Sequence, residues 1–177
     1  NVWRPAHVDG IVTMVKKLQE EGIRIDGVDI QAHWGLNYPK TEYIGHAIDT
    51  LHSLGLKVMS TELDVDGLPI TREGQVIGQS LTDPLYQHEE FEEYLDPYKD
   101  GLPAEIEQQL ADRYEELFRI FYNRRDKIDR VTLWGLTDDS SWKNGYPVPG
   151  RTNYPLLWNR DYTPHKALNS VLSVPQN

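Results

Sequence analysis

The chain has 177 residues, with 28 acidic and 18 basic side chains, no cysteine, 38% hydrophobic residues and 10% aromatic residues. This length and apolar content fit one domain with a real core and exclude a disordered chain. A formal charge of −10 argues against nucleic acid and anionic membrane surfaces as partners. The sequence has no run of about 18 apolar residues, which predicts no membrane insertion. Without cysteine, disulfides, thiolate ligands and a cysteine nucleophile are excluded.

Helix and strand signals alternate along the chain. Apolar residues at helical spacing precede Gly22 and Gly55, and each glycine is placed to end its helix in the left-handed conformation. A short apolar strand follows each glycine. The predicted elements are helices before Gly22 and Gly55, strands over 27–33 and 57–65, a helix opening near Pro103, a strand over 128–135, and a last helix over about 164–172.

This alternation implies parallel βαβ units, and polar residues at the carboxyl ends of strands are typical of the (β/α)8 TIM barrel. A whole barrel needs roughly 250 residues. We therefore expect residues 1–177 to form about the last half of one barrel, as part of a single domain, with the tail of a further strand near residue 1. The connection over 66–102 has no periodicity; a loop this long is either functional or a lineage-specific decoration.

Side chains alternate between the two faces of a strand. In the strand over 27–33, alternation places Asp29, Gln31 and His33 toward the barrel axis. In the strand over 57–65, the set expected to face the axis is Val58, Ser60, Glu62 and Asp64, and the set expected to pack on helices is Met59, Thr61, Leu63 and Val65.

Three of the inward residues form a candidate catalytic set at one mouth of the barrel. His33 could orient Glu62 as a carboxylate nucleophile, and Asp64 could accept a hydrogen bond from the other nitrogen of His33. For one histidine and one glutamate, a mutually satisfied buried pair would be the simpler interpretation. Three groups that converge on the active face of a barrel favour the catalytic interpretation.

The third strand adds two tryptophans around a polar loop. Trp134 and Trp142 are typical of a platform for sugar rings, although a buried tryptophan is also common in a core. Asp138 and Asp139 could bind hydroxyl groups, but capping of the turn is the favoured interpretation. The six histidines lack metal-binding spacing, and no GxSxG, GxGxxG or P-loop motif is present, so we expect no metal and no cofactor.

Four motifs resemble the endo-β-1,4-xylanases of glycoside hydrolase family 10. They are Asp26-Gly-Val-Asp-Ile-Gln-Ala-His33, Thr61-Glu-Leu-Asp-Val65, Val131-Thr-Leu-Trp-Gly-Leu-Thr-Asp138 with Ser141-Trp142, and Tyr154-Pro-Leu-Leu-Trp158 with Tyr162-Thr-Pro-His-Lys-Ala167. The segment Leu95-Asp-Pro-Tyr-Lys-Asp-Gly-Leu-Pro103 is similar to the gut-bacterial branch of the family. The resemblance covers nearly the whole chain, in the family's order.

The resemblance implies strands 6, 7 and 8 of the barrel and retaining endo-hydrolysis of xylan or xylo-oligosaccharides. It implies Glu62 as the nucleophile, His33 as its hydrogen-bonding partner, and Asp64 as the acid that orients His33. It implies sugar contacts by Gln31, Trp134 and Trp142. Because xylan cannot enter cells, it also implies an extracellular or cell-envelope-attached enzyme.

One family feature is absent from this sequence. In the family the acid/base is a Glu that follows an Asn, and this chain contains no Asn-Glu pair. The acid/base is therefore expected on the N-terminal half of the same barrel, which makes that half the expected partner. Two alternatives remain open: a β-1,4-glucanase of a related barrel family, and a non-catalytic carbohydrate-binding remnant. A purely structural role ranks last.

Overall fold

The computed structural model describes residues 4–68, 96–146 and 150–176. Its elements are α1 (Pro5–Glu20), β1 (Gly27–Gly35), α2 (Thr41–His52), β2 (Lys57–Asp66), α3 (Ala104–Tyr122), β3 (Ile128–Leu133) and α4 (Lys166–Ser173), with 3-10 turns at Asp138–Ser140, Trp142–Asn144 and Val174–Gln176. The strand tail expected near residue 1 and most of the 66–102 connection lie outside the described residues. Within the described ranges, no helix is both long and apolar enough to cross a membrane.

The three strands form one parallel sheet in the order β1-β2-β3, which confirms the predicted βαβ units. Gly27 pairs with Lys57 at the start of β1 and β2, and Val58 pairs with Ile128 at the start of β3. In the described part of the chain, β1 and β3 each pair with one strand only, so the sheet has two open edges. A closed barrel has no such edges, so this sheet corresponds to a segment of a (β/α)8 barrel.

Glycines end the first two helices as predicted. Gly22 follows α1 with a φ of 77°, and Gly55 follows α2 with a φ of 78°, a region that an L side chain rarely adopts. A third glycine shortens β3. Gly135 has a φ of 144°, which is not extended backbone, and β3 ends at Leu133, two residues before the predicted end at residue 135.

The core lies between the outer face of the sheet and the helices. Apolar residues at helical spacing on α2 and α3 supply much of it: Ile44, Ala47, Ile48, Leu51, Leu110, Tyr114, Leu117 and Phe121 are all buried. They pack with strand residues such as Ile30 and Ala32 in one cluster. This arrangement leaves the opposite face of β1 open, and there Asp29 and Gln31 are exposed.

The predicted faces of β2 are wrong for its first half. Val58 and Leu63 are five positions apart and should lie on opposite faces, yet both belong to the buried cluster under the helices. Ser60 is fully buried, and Thr61 donates to Asp29 on the open face. The cause is an irregularity at Glu62, whose φ of 59° interrupts the alternation. Only from Glu62 onward are the faces as predicted.

Candidate active site

His33 lies between two carboxylates at the carboxyl ends of β1 and β2. Its Nε2 is 2.9 Å from Glu62 Oε2, and its Nδ1 is 2.9 Å from Asp64 Oδ2. The side chains of His33 and Glu62 are 19% and 25% exposed, whereas that of Asp64 is fully buried. The structure therefore brings together the three residues predicted as a catalytic set, and their burial increases from Glu62 through His33 to Asp64.

Glu62 is held by two neighbours and by its backbone. Gln31 Nε2 donates to Glu62 Oε2 at 2.8 Å, so the oxygen that contacts His33 also accepts a hydrogen bond from Gln31. Neither contact engages Oε1. Glu62 has a φ of 59°, and a left-handed backbone at a residue other than glycine is a feature that clusters at functional sites. The bend also places both Glu62 and Asp64 within reach of His33.

Aromatic rings line the site beside His33. The ring of Trp142 lies 4.7 Å from that of His33 between centroids, and the ring of Trp134 lies 6.3 Å away. Trp134 is 47% exposed, so it is available to a ligand. Tyr146, which sequence reasoning missed, stacks on Trp142 at 5.0 Å and 20°. In the sequence, only the position of Tyr146 four residues after Trp142 indicated that the two rings could lie close together.

Asp138 and Asp139 do not present free carboxylates to the site. Asp138 is fully buried; its Oδ1 accepts from Leu156 N at 2.9 Å, and its Oδ2 lies 2.7 Å from His165 Nε2. Asp139 Oδ1 accepts from the Thr137 hydroxyl at 2.5 Å. The Asp139 carboxylate therefore stabilises the turn after β3, in agreement with the favoured interpretation, whereas the Asp138 carboxylate binds two segments that lie far from this turn in the sequence. The pairing of Asp138 with His165 was not predicted.

A second buried network supports the loops around the site. Asp66, at the end of β2, accepts from Asn153 Nδ2 at 2.8 Å and lies 3.3 Å from Lys143 Nζ. Lys143 Nζ also lies 5.0 Å from the centre of the Trp142 ring. This network joins the strand end to the loop that carries Trp142. Sequence reasoning missed it because its members are 77 and 87 residues away from Asp66.

Buried charges also act on Tyr114 beneath the site. Burial raises the pKa of the Tyr114 phenol well above its usual value, and the charges of Asp64 and Asp138 raise it further. The hydroxyl therefore stays protonated and donates to the carbonyl of Pro155 at 2.6 Å. Across the described ranges, no group of three or more His, Asp or Glu residues is arranged to hold a metal ion.

The sequence model of Glycosyl hydrolase family 10 matches residues 1–174, and the chain belongs to that family. It is 37% identical over 172 residues to endo-1,4-beta-xylanase A of Xylanibacter ruminicola, and 34% identical over 173 residues to an endo-1,4-beta-xylanase of Geobacillus stearothermophilus. A GH10 endoxylanase from a sugarcane soil metagenome has a similar structure, with a TM-score of 0.83 and 37% identity. Xylanase B from Clostridium stercorarium F9 has a TM-score of 0.80 and 32% identity.

These matches cover nearly all of this chain but less than half of each relative. The alignments with the two curated xylanases cover 96% of this chain and 44% and 45% of theirs. The two structures cover 98% and 97% of this chain, which spans 47% and 44% of them. The expectation that residues 1–177 form about half of a family 10 barrel is thus confirmed.

Proposed function

We propose that this chain supplies the nucleophile side of a retaining endo-β-1,4-xylanase site, with Glu62 as the nucleophile. The observation that carries the proposal is that one oxygen of Glu62, Oε2, makes two hydrogen-bonding contacts. They are with Gln31 Nε2 at 2.8 Å and with His33 Nε2 at 2.9 Å. These contacts fix the carboxylate and occupy Oε2. Oε1 is then the oxygen that attacks the anomeric carbon.

His33 supplies the charge that two neighbouring carboxylates need. Asp64 and Glu62 are acceptors when ionised, so His33 can donate to both only as an imidazolium, with a proton on each nitrogen. That cation offsets the repulsion between the two carboxylates and orients Glu62 for attack. In this role Asp64 holds the imidazolium in place and does not contact the sugar.

The proposed reaction has two steps. First, Glu62 Oε1 forms a bond to the anomeric carbon while the bond from that carbon to the glycosidic oxygen breaks, and a general acid gives the departing oxygen a proton. Second, water attacks the same carbon, gives a proton to the same acid/base residue, and Glu62 leaves as a carboxylate. Two inversions at one carbon give net retention. The acid/base carboxyl belongs about 5–5.5 Å from that of Glu62.

The remainder of the barrel is proposed to supply that acid/base. The chain has no Asn-Glu pair, and Asp64 is unsuited to the role because it is fully buried and its Oδ2 contacts both His33 and Trp142. The two open sheet edges and the coverage of less than half of each relative support this division. We call this chain together with the remainder of the barrel the assembled enzyme. Because its polymeric substrate lies outside cells, we place it extracellularly or on the cell envelope.

The direct test is covalent trapping in the assembled enzyme with a 2,4-dinitrophenyl 2-deoxy-2-fluoro-β-xylobioside. Dinitrophenolate leaves without a proton, so the reaction tests Glu62 independently of the acid/base, and the fluorine slows breakdown of the adduct. We expect one fluoro-xylobiosyl adduct by intact mass, mapped to Glu62 by peptide analysis. Glu62→Gln should abolish it, whereas the matched control Glu42→Gln, at an exposed carboxylate on α2, should not.

Two outcomes would overturn the proposal. One is an adduct on another residue of an enzyme that cleaves xylan. The other is binding of xylo-oligosaccharides with no turnover and no adduct, which would identify a carbohydrate-binding remnant. Initial rates on xylan and on carboxymethyl cellulose distinguish the xylanase from the alternative β-1,4-glucanase. A higher rate on carboxymethyl cellulose than on xylan would indicate the glucanase.

A further inference from the structure

Trp142 makes a polar contact that a sugar platform does not need. Its indole Nε1 donates to Asp64 Oδ2 at 2.8 Å, and the same oxygen lies 2.9 Å from His33 Nδ1. Asp64 is fully buried, and its other oxygen has no hydrogen-bond partner within the described ranges. The two contacts on Oδ2 are therefore the ones that stabilise this carboxylate in the described part of the chain.

The indole is fixed on its other sides. Tyr146 stacks on the ring of Trp142 with 20° between the ring planes, and Lys143 Nζ lies 5.0 Å from the ring centre. Lys143 is itself 7% exposed and paired with the buried Asp66. A ring held in this way presents its N–H in one direction. An indole nitrogen can only donate, so the contact with Asp64 has one possible polarity.

We infer that Trp142 is a positioning residue for the nucleophile, in addition to any contact with sugar. Its N–H fixes the orientation of Asp64; Asp64 then fixes the ring plane of His33, and His33 fixes Oε2 of Glu62. The inference rests on the proposed function for its kinetic consequence only. The link from Trp142 to His33 through Asp64 exists in the protein without substrate and can be measured there.

The test compares Trp142→Phe with Trp134→Phe in the assembled enzyme. Both variants keep a flat aromatic ring, but only the first removes a donor to Asp64. The first readout is the proton resonance of His33 Nδ1–H in the free enzyme, assigned with 15N-labelled histidine. Both rings lie beside His33, so both variants change the ring current there, and the exchange rate of this proton with solvent is the quantity compared. We expect Trp142→Phe to increase that rate and Trp134→Phe to leave it nearly unchanged. Trp142→Phe should lower kcat roughly 10- to 100-fold, as expected for a lost bond to a charged group, with a change in KM of less than about threefold.

A double-mutant cycle with Asp64→Asn identifies the route. If Trp142 acts through Asp64, the loss of kcat in the double variant should fall well below the product of the two single losses. Should Trp142→Phe fail to fold, 3-benzothienylalanine at position 142 keeps the bicyclic ring and replaces N–H by sulfur. Loss of kcat with this residue supports the inference equally.

An unchanged kcat in a folded variant that lacks the N–H would overturn the inference, and so would a change in KM alone or multiplicative losses in the cycle. Failure of the xylanase proposal itself would look different, because no adduct would then form on Glu62 in the unsubstituted enzyme. The His33 resonance would still report whether Trp142 holds Asp64.

Discussion

Gln31 Nε2 lies 2.8 Å from Glu62 Oε2, across the two neighbouring strands β1 and β2. The amide thus shares one carboxylate oxygen with His33 Nε2, which is 2.9 Å away. Two contacts on the same oxygen make the two oxygens of Glu62 unequal, and in the proposed mechanism this asymmetry selects the attacking atom. A contact between Gln31 and sugar, implied by the family resemblance, would add to this role.

Gln31→Met should therefore slow the attack itself. Methionine has a similar length and no donor, so only His33 still contacts Oε2. The carboxylate of Glu62 is then oriented less firmly. We expect the rate of adduct formation with the fluoro-xylobioside to fall about 10-fold or more. The matched control is Thr61→Val, which removes the 3.0 Å bond to Asp29 between the same two strands and leaves both contacts of Glu62 intact. Trapping of Gln31→Met at the unsubstituted rate would contradict the assignment of Oε1.

The backbone at Glu62 makes a prediction about stability. With a φ of 59°, alanine at this position carries a left-handed cost of roughly 1–2 kcal/mol that glycine does not. Glu62→Gly should therefore be more stable than Glu62→Ala by about 1 kcal/mol in urea unfolding of the assembled enzyme. The order should reverse at Thr61, where Thr61→Gly is expected to be the less stable variant. If the alanine variant were more stable than the glycine variant at both positions, the left-handed backbone conformation at Glu62 would be refuted.

Local signals in the sequence were sufficient for the order of the helices and strands and for the proximity of His33, Glu62 and Asp64. The helix ends followed from Gly22 and Gly55 because a left-handed glycine is a local requirement. The faces of β2 could not be predicted by alternation, because the irregularity at Glu62 moves Val58 and Leu63 to one side. Glutamate carries no signal for a positive φ, so nothing in the local pattern marked this position.

Contacts between distant segments were the other part that the sequence did not reveal. Asp138 and His165 are separated by 27 residues, and each had a plausible local explanation as a turn residue or a scattered histidine. Their pairing depends on how the segment before α4 folds back over the turn after β3. Such pairs become visible only once the tertiary structure places the segments side by side.

Arg113 on α3 should contribute more to stability than its neighbour Arg119. Arg113 is 6% exposed and donates to the carbonyl oxygens of Gly35, at the end of β1, and Pro39, in the loop after β1, at 3.2 and 2.6 Å. Arg113→Met leaves these carbonyls without their charged donor and should lower the free energy of unfolding by about 2 kcal/mol or more.

The matched control for Arg113 lies on the same helix. Arg119 is 42% exposed and pairs with Glu115 at 2.6 Å, so Arg119→Met should cost about 0–1 kcal/mol. Urea unfolding of the assembled enzyme measures both variants. Equal losses of unfolding free energy would show that the contacts of Arg113 with Gly35 and Pro39 stabilise the protein no more than an exposed ion pair does.

His165 should make stability depend on pH through its pair with Asp138. Burial lowers the pKa of His165, but the hydrogen bond and charge of Asp138, with a further contribution from the charge of Glu107, outweigh burial and leave the pKa above its ordinary value of 6.5. The protonated ring therefore favours the folded state, and this contribution is complete below about pH 6.5.

As the pH rises through the raised pKa of His165, the contribution of its protonated ring is lost. The free energy of unfolding of the assembled enzyme should thus decrease as the pH rises above about 6.5. His165→Gln should flatten the decrease, because glutamine does not titrate. His7→Gln, at an exposed histidine on α1, should leave it unchanged. Urea unfolding at several pH values measures the slope for each variant, and a slope that persists in His165→Gln would exclude the pair with Asp138 as its cause.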